Sequence, residues 1–290
     1  MSTLAEHPSA SVHPEPMTRP PRPPETGRVR PAVHFVRRHA LDLFGVAAIA
    51  YLLAPVLVVV AFSFNDPAGR FNYTWQRFTL DNWKNPFGVP GLAESMLTSL
   101  EIAAIAAVAG CIIGTPLAMA LVRYRFRGRT ATDTLVLLPM ATPEVVMGAS
   151  LLALFLNLGI PSGFGTIAVA HTMFVLSFVV VTVRARLVNL DKHLEEAAAD
   201  LGAGPLTTFR LVTLPLIMPS IISAALLAFL LSIDDFVITN FNSGTTLTFP
   251  LYVWGAARVG VPPQVNVIGT MLLLASLVVA AIVLTRRKSD

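Results

Sequence analysis

The chain has 290 residues, 54% of them hydrophobic and only 13% charged, with a mean hydropathy of +0.67. A water-soluble domain carries about 25% charged residues to cover its surface, so a wholly aqueous fold is excluded and the bilayer is the expected solvent. The net charge of +4 is accounted for by basic residues that anchor loops beside anionic headgroups, without recourse to nucleic acid.

Residues 1–33 hold eight prolines (Pro8, Pro14, Pro16, Pro20, Pro21, Pro23, Pro24 and Pro31). That composition cannot bury a core, and residues 1–40 are expected to be a disordered cytoplasmic tail. A hydrocarbon core of about 30 Å needs roughly 20 apolar residues in a helix. Six runs reach that length, at about 43–64, 102–122, 134–158, 165–183, 211–233 and 265–285. Each is expected to be helical, because a lipid-exposed backbone must satisfy its own hydrogen bonds. The fold class is therefore an all-α membrane protein with six transmembrane helices over 41–285, followed by a basic cytoplasmic tail at 286–290. The first run is too long and too far from the start to be a signal peptide.

Seventeen of the 21 Lys and Arg residues lie before the first run, after the second, after the fourth and in the tail. Only Arg70, Arg77, Lys84 and Arg258 fall on the other side. This alternation places both termini in the cytoplasm. The first outer loop, 65–94, carries Tyr73, Trp75 and Trp83, which suit the headgroup level. The connection 157–165 is short and carries Pro161, so the third and fourth spans form a tight hairpin. The single cysteine, Cys111, sits among small residues and reads as packing.

No GxxxxGKS/T loop occurs, so any ATP chemistry belongs to a partner. No Ser/His/Asp set, metal-spaced cluster or paired catalytic carboxylates share a soluble face, so neither catalytic residues nor metal ligands are assigned. His171, alone in the fourth run, reads as a hydrogen-bonded packing residue.

The most informative stretch is Asn189 to Pro219. HLEEAAADLGA is a good helix former that ends near Gly202 and Gly204, where glycine supplies the left-handed turn. Pro205 then suits the first position of a second helix, and 206–212 reads as a short amphipathic turn leading into the fifth span. The product is a helix–turn–helix on the cytoplasmic face, presenting the small Ala197 and Ala198.

Glu196-Ala197-Ala198, three residues, Gly202, nine residues, Val212, one residue, Leu214-Pro215: this spacing resembles the EAA motif of ABC importer permeases. The family pattern has Ile where this chain has Val212. From about residue 45 onward the chain looks like the PotC-type permeases of spermidine/putrescine importers. The matching pieces are SFN (63–65), FTLDNW (78–83), PEVVMGASLL (143–152), AHTMF (170–174), EEAAADLGA (195–203) and SIDDFVITNFNSG (232–244). Related permeases for iron, opines and other solutes share parts of this pattern.

The resemblance implies the type I (MetI-like) permease fold, with loop 189–211 as the coupling helix that fits a cleft on the ATPase. Glu196, Ala197, Ala198, Gly202, Leu214 and Pro215 would serve that coupling. It also implies the partners: a second, PotB-like permease, a PotA-like ATPase dimer that binds ATP and magnesium, and a PotD-like extracytoplasmic binding protein. The setting would be a bacterial inner membrane. This chain would carry no cofactor of its own. A sugar, iron or opine importer remains an alternative. A stand-alone secondary transporter would leave the EAA spacing unexplained.

A polyamine path should offer carboxylates for ammonium groups and aromatic faces for cation–π contact. Glu144 lies about 15 Å into a straight helix counted from Thr134, so it is expected near mid-bilayer, either facing an aqueous path or paired with another helix. Pro139 and Pro143 break the helix just before it. Asp234 and Asp235 end the fifth span near the outer surface, with Phe236, Phe241, Tyr252 and Trp254 nearby. Adjacent helical residues point about 100° apart, so one of the two acids is expected to face the path. The expected substrate-pathway set is Glu144, Asp234, Asp235, Phe236, Tyr252 and Trp254.

Overall fold

The computed structural model describes residues 31–287 and divides into two units, 1–55 and 56–290. The described part of the first unit is the N-terminal portion of helix α1 (Pro31–Phe62), whose apolar residues Leu43, Phe44 and Leu52 are exposed. The helix is already present at the first described residue, so residues 31–40 are helical and not the disordered segment expected. The rest of that tail, residues 1–30, lies outside the described residues.

The second unit continues α1 and adds α2 (Asp81–Lys84), α3 (Leu92–Arg123), α4 (Arg129–Ala141), α5 (Glu144–Asn157) and α6 (Phe164–Val188). There follow α7 (His193–Asp200), α8 (Pro205–Thr208), a π-helical turn at Phe209–Thr213, α9 (Leu214–Ile233), α10 (Val237–Asn242), α11 (Phe249–Val259) and α12 (Pro263–Arg287). Among the described residues four helical stretches are long and apolar enough to cross a membrane, and the pair α4–α5 makes a fifth if counted as one span. α12 contributes a shorter apolar stretch, Pro263–Val278.

The core of this unit is the trio α3, α6 and α9. Lipid tails are as apolar as leucine, so membrane helices associate by close packing, and small residues permit it. α3 supplies them every fourth residue at Ala106, Gly110, Gly114 and Ala118, all buried. A methyl built on Gly114 would lie 2.8 Å from a Val179 methyl, and one on Gly110 would lie 3.1 Å from Val175. The valine ridge of α6 thus fills the glycine groove of α3. Half-buried Cys111 packs against the same core, as expected of a packing residue.

The third apolar run is not the straight span anticipated. α4 and α5 meet at an angle of 111°. Thr142 is extended (φ −83°, ψ 133°) because a residue before proline avoids the helical region, and Pro143 (φ −58°, ψ 132°) then starts a new direction. The depth expected for Glu144 assumed a continuous rise and falls with it. Glu144 instead occupies the first position of α5, where free backbone N–H groups favour a negative charge.

α5 lies against α10 across Gly148, where an added methyl would stand 2.8 Å from the Phe241 ring and 3.3 Å from the Ile238 Cα. Asn242 locks the junction: its Nδ2 donates to the Gly148 carbonyl (3.3 Å), and its own carbonyl accepts from Gly163 N (3.1 Å) and Thr166 Oγ1 (2.9 Å). Replacing Gly148 by valine is expected to push α5 off α10. The expected loss is about 1–3 kcal/mol, read as a lower melting temperature of the detergent-solubilised protein.

The connection between α1 and α3 is built around three buried asparagines. Asn65 Nδ2 donates to Asn72 Oδ1 (2.6 Å) and the Thr74 carbonyl (2.9 Å), and Asn65 Oδ1 accepts from Gln76 N (2.8 Å). Asn82 Nδ2 donates to the Asn65 carbonyl (2.9 Å), and Trp83 Nε1 to Ser63 Oγ (3.2 Å). Trp83 and Phe78 both stack on Phe64. The SFN and DNW stretches thus meet each other and set the loop's shape.

Candidate functional site: an acidic junction and a tethered surface helix

Two sites emerge, at the two ends of the α9 stretch. At its C-terminal end the chain bends between α9 and α10, and the two adjacent acids part company. Asp235 is buried, its side chain 3% exposed, while Asp234 is exposed. Asp235 is committed inward: Oδ2 accepts from Thr239 N (2.8 Å) and Oδ1 from Ile238 N (3.3 Å). These are free N–H groups of the first turn of α10, so the carboxylate caps that helix.

His171 Nε2 lies 3.1 Å from Asp235 Oδ2 and 2.9 Å from Thr239 Oγ1, while Nδ1 is 2.7 Å from Ser232 Oγ. An ionised carboxylate only accepts, so the imidazole donates Nε2–H to it. His171 is thus the hydrogen-bonded packing residue expected, but its partner is one of the acids assigned to the pathway. The expectation that Asp235 meets solute directly does not survive this geometry, because every described contact of its carboxylate is internal.

Asp234 stands at the edge of a cavity of about 410 Å³ lined also by Phe236, Phe249, Trp254 and Leu272. Phe236 and Trp254 lie with ring centroids 5.0 Å apart at 44°. The Arg258 guanidinium sits 4.9 Å from the centroid of the Trp254 ring, a cation–π contact. Glu144 is exposed at the start of α5. Its helix packs against α10, which follows the two acids in the chain. Tyr252 is not part of this group: on another face of α11 it packs against the cluster that contains Leu92 and Ile268, and it lines a separate cavity with Arg70 and Gly260. The arrangement is an apolar, aromatic cleft with one carboxylate, Asp234, at its rim, suited to a cation carried on a methylene chain.

At the other end, α7 forms as expected and closes as a Schellman motif. Ala203 N donates to the Ala198 carbonyl (3.0 Å) and Gly202 N to the Ala199 carbonyl (2.9 Å). Gly202 has φ +84° with open space around its missing Cβ, so its requirement is conformational. At the start of α7, Asp191 Oδ1 accepts from His193 N (3.0 Å) and Nδ1 (2.6 Å). The backbone bond, and then the ring bond, hold the Asp191 carboxyl below the usual carboxylate range, and the carboxylate raises His193.

The second helix begins at Pro205 and leads into the fifth apolar run, as expected. It runs through the π-helical turn into α9 as one stretch, Pro205–Ile233. Leu214 and Pro215 therefore open α9 and do not belong to the exposed helix. Glu196 and Ala197 are exposed, and Ala198 is half-buried. Glu196 lines a groove of about 510 Å³ with Arg123, Lys192, Glu195 and Pro205. The sequence reading passed over Glu195. Its Oε1 accepts from Arg123 Nη2 at the end of α3 (3.1 Å) and from Thr213 Oγ1 (3.0 Å). Position on the helix is the one signal that could have found it, since Glu195 and Glu196 point about 100° apart.

Comparison with known proteins agrees with this architecture. Residues 106–287 match the family described as binding-protein-dependent transport system inner membrane component. The spermidine/putrescine transport system permease protein PotC of Haemophilus influenzae is 38% identical over 243 residues, covering 83% of this chain and 94% of that protein. The putrescine transport system permease protein PotI of Escherichia coli is 41% identical over 231 residues, covering 77% of this chain and 82% of that protein.

Among solved structures, a bacterial ABC transporter for the import of alginate matches with a TM-score of 0.63 at 18% identity, over 92% of this chain and 99% of that one. The MetNI methionine ABC transporter matches with a TM-score of 0.57 at 17% identity, over 67% of this chain and 93% of that one. These two show a shared fold. The chain belongs to the family of binding-protein-dependent transport system inner membrane components.

Proposed function

We propose that this chain is a permease subunit of an ABC importer that moves polyamines across the bacterial inner membrane. The observation that carries the reading is the cleft in which Asp234 stands beside the Phe236–Trp254 pair, in a chain whose relatives are named as spermidine and putrescine permeases. Ammonium groups pair with carboxylates and with ring faces, and the methylene spacers suit the apolar lining. Asp235, held by His171, positions α10 and through it α5 and Glu144.

The chain crosses the membrane six times, the α4–α5 pair and α12 supplying two of the crossings, with both termini cytoplasmic. It pairs with a second, PotB-like permease to enclose the path. A PotA-like ATPase dimer binds ATP and magnesium and docks on α7 through Glu196, Ala197 and Ala198. A PotD-like binding protein delivers solute to the outer loops. Closure of the ATPases draws the α7 helices together and opens the spans outward.

The test of the assembly is purification of the tagged chain from membranes of its own cell. An ATPase subunit is expected to copurify. Gly202→Val should release it, because a β-branched residue in the left-handed region costs about 1–2 kcal/mol and unravels the end of α7. Recovery of the chain without any ATPase, in every detergent tried, would contradict the reading.

A further inference from the structure

α7 is an unusual element: among its eight residues none is buried. With none of its residues fully buried, α7 has little packing to transmit force, so specific bonds carry much of its attachment. Among the described residues, every side-chain hydrogen bond from α7 to another helix is made by one carboxylate, that of Glu195. One of its two partners belongs to a helix of the core trio, and the other to the turn that leads into a second. Arg123 is the last residue of α3, and Thr213 is the buried last residue of the π-helical turn that leads into α9.

The pair is sheltered, with side-chain exposures of 10% for Arg123 and 24% for Glu195. Glu195 is the one acceptor for the Arg123 guanidinium among the described residues, and Arg123 Nε is buried without a partner. The π turn matters as well. A wider turn inside an otherwise α-helical run is a local departure that often marks a functional site, and here it lies where the surface loop becomes the long apolar helix.

We infer that Glu195 is the latch through which displacement of α7 is passed to α3 and α9. The inference rests on the proposed importer function, and it divides the labour between two adjacent acids. Glu196 faces outward to the ATPase, while Glu195 faces inward to Arg123 and Thr213. Pulling α7 moves the Glu195 carboxylate, which draws the end of α3 by the ion pair and bends the entry to α9 at the π turn. Glu195 is a positioning residue, since it touches neither solute nor nucleotide.

The experiment uses the complete complex in proteoliposomes, supplied with spermidine-loaded binding protein and MgATP, and measures spermidine moved per ATP hydrolysed. In Glu195→Gln the amide keeps the shape and loses the charge. The transport-to-hydrolysis ratio is expected to fall roughly fivefold or more, the range of a broken allosteric coupling, while the ATPase still copurifies. The charge exchange Glu195→Arg with Arg123→Glu should restore most of the ratio.

An unchanged ratio in Glu195→Gln overturns the inference. So does loss of the ATPase from that variant, which would make Glu195 part of the docking surface. So does a charge exchange no better than either single reversal. A wild-type complex that moves no spermidine fails the importer reading itself, whereas a coupled wild type beside an equally coupled Glu195→Gln fails the latch alone.

Discussion

Replacing Asp235 by alanine is expected to destabilise the protein by about 3 kcal/mol or more, the largest effect of any single substitution proposed for this chain. The change strips the acceptor from Ile238 N–H, Thr239 N–H and His171 Nε2 at once, all in a buried setting. Each polar group left unsatisfied in such a place costs about 1–3 kcal/mol. Asp235→Asn keeps the shape and one acceptor oxygen, and should lose less. Thermal unfolding of the detergent-solubilised protein measures both. A loss below about 1 kcal/mol for the alanine variant would mean that the capping network is not what holds α10.

The second large effect concerns transport. Glu144→Gln and Asp234→Asn both remove an exposed charge while leaving volume unchanged, so the amount of folded protein should match the wild type. A charge-assisted contact with an ammonium group is worth about 1.5–3 kcal/mol, so the KM for spermidine should rise roughly ten- to hundredfold. Substrate-stimulated ATPase should require correspondingly more substrate. Asp235→Asn separates the roles, for it should reduce folded protein where Asp234→Asn does not. Unchanged uptake and unchanged stimulated ATPase in Glu144→Gln would remove that residue from the path.

Much of this is legible in the sequence. Hydropathy found the apolar helices because lipid leaves the backbone no alternative to helix. Gly202 and Pro205 announced the end of α7 and the start of the next helix, each by backbone geometry that few other residues tolerate. The split between Asp234 and Asp235 was foreseeable from helical spacing, but its direction was not. Which acid turns inward is decided by His171, 64 residues away in α6, and no local pattern encodes that contact.

The α4–α5 bend shows the opposite failing. Pro139 and Pro143 signalled a break, but an apolar run reads alike whether it continues or turns by 111°. Glu195 escaped notice for a third reason. The motif spacing directs attention to Glu196, whereas the value of Glu195 depends on Arg123, 72 residues earlier. Tyr252 and Trp254, two residues apart, were grouped by proximity in sequence, yet on a helix that spacing turns them to different faces.

The central claim is that this chain passes polyamines through the membrane under power from a partner ATPase. The most direct measurement is accumulation of labelled spermidine or putrescine in proteoliposomes that contain this chain, its partner permease and the ATPase, with binding protein outside and MgATP within. Accumulation that requires MgATP and the binding protein, and that vanishes when the ATPase is omitted, is the predicted result. Polyamine accumulation driven by an ion gradient without the ATPase would contradict the account, as would ATP-driven uptake of a different solute with none of either polyamine.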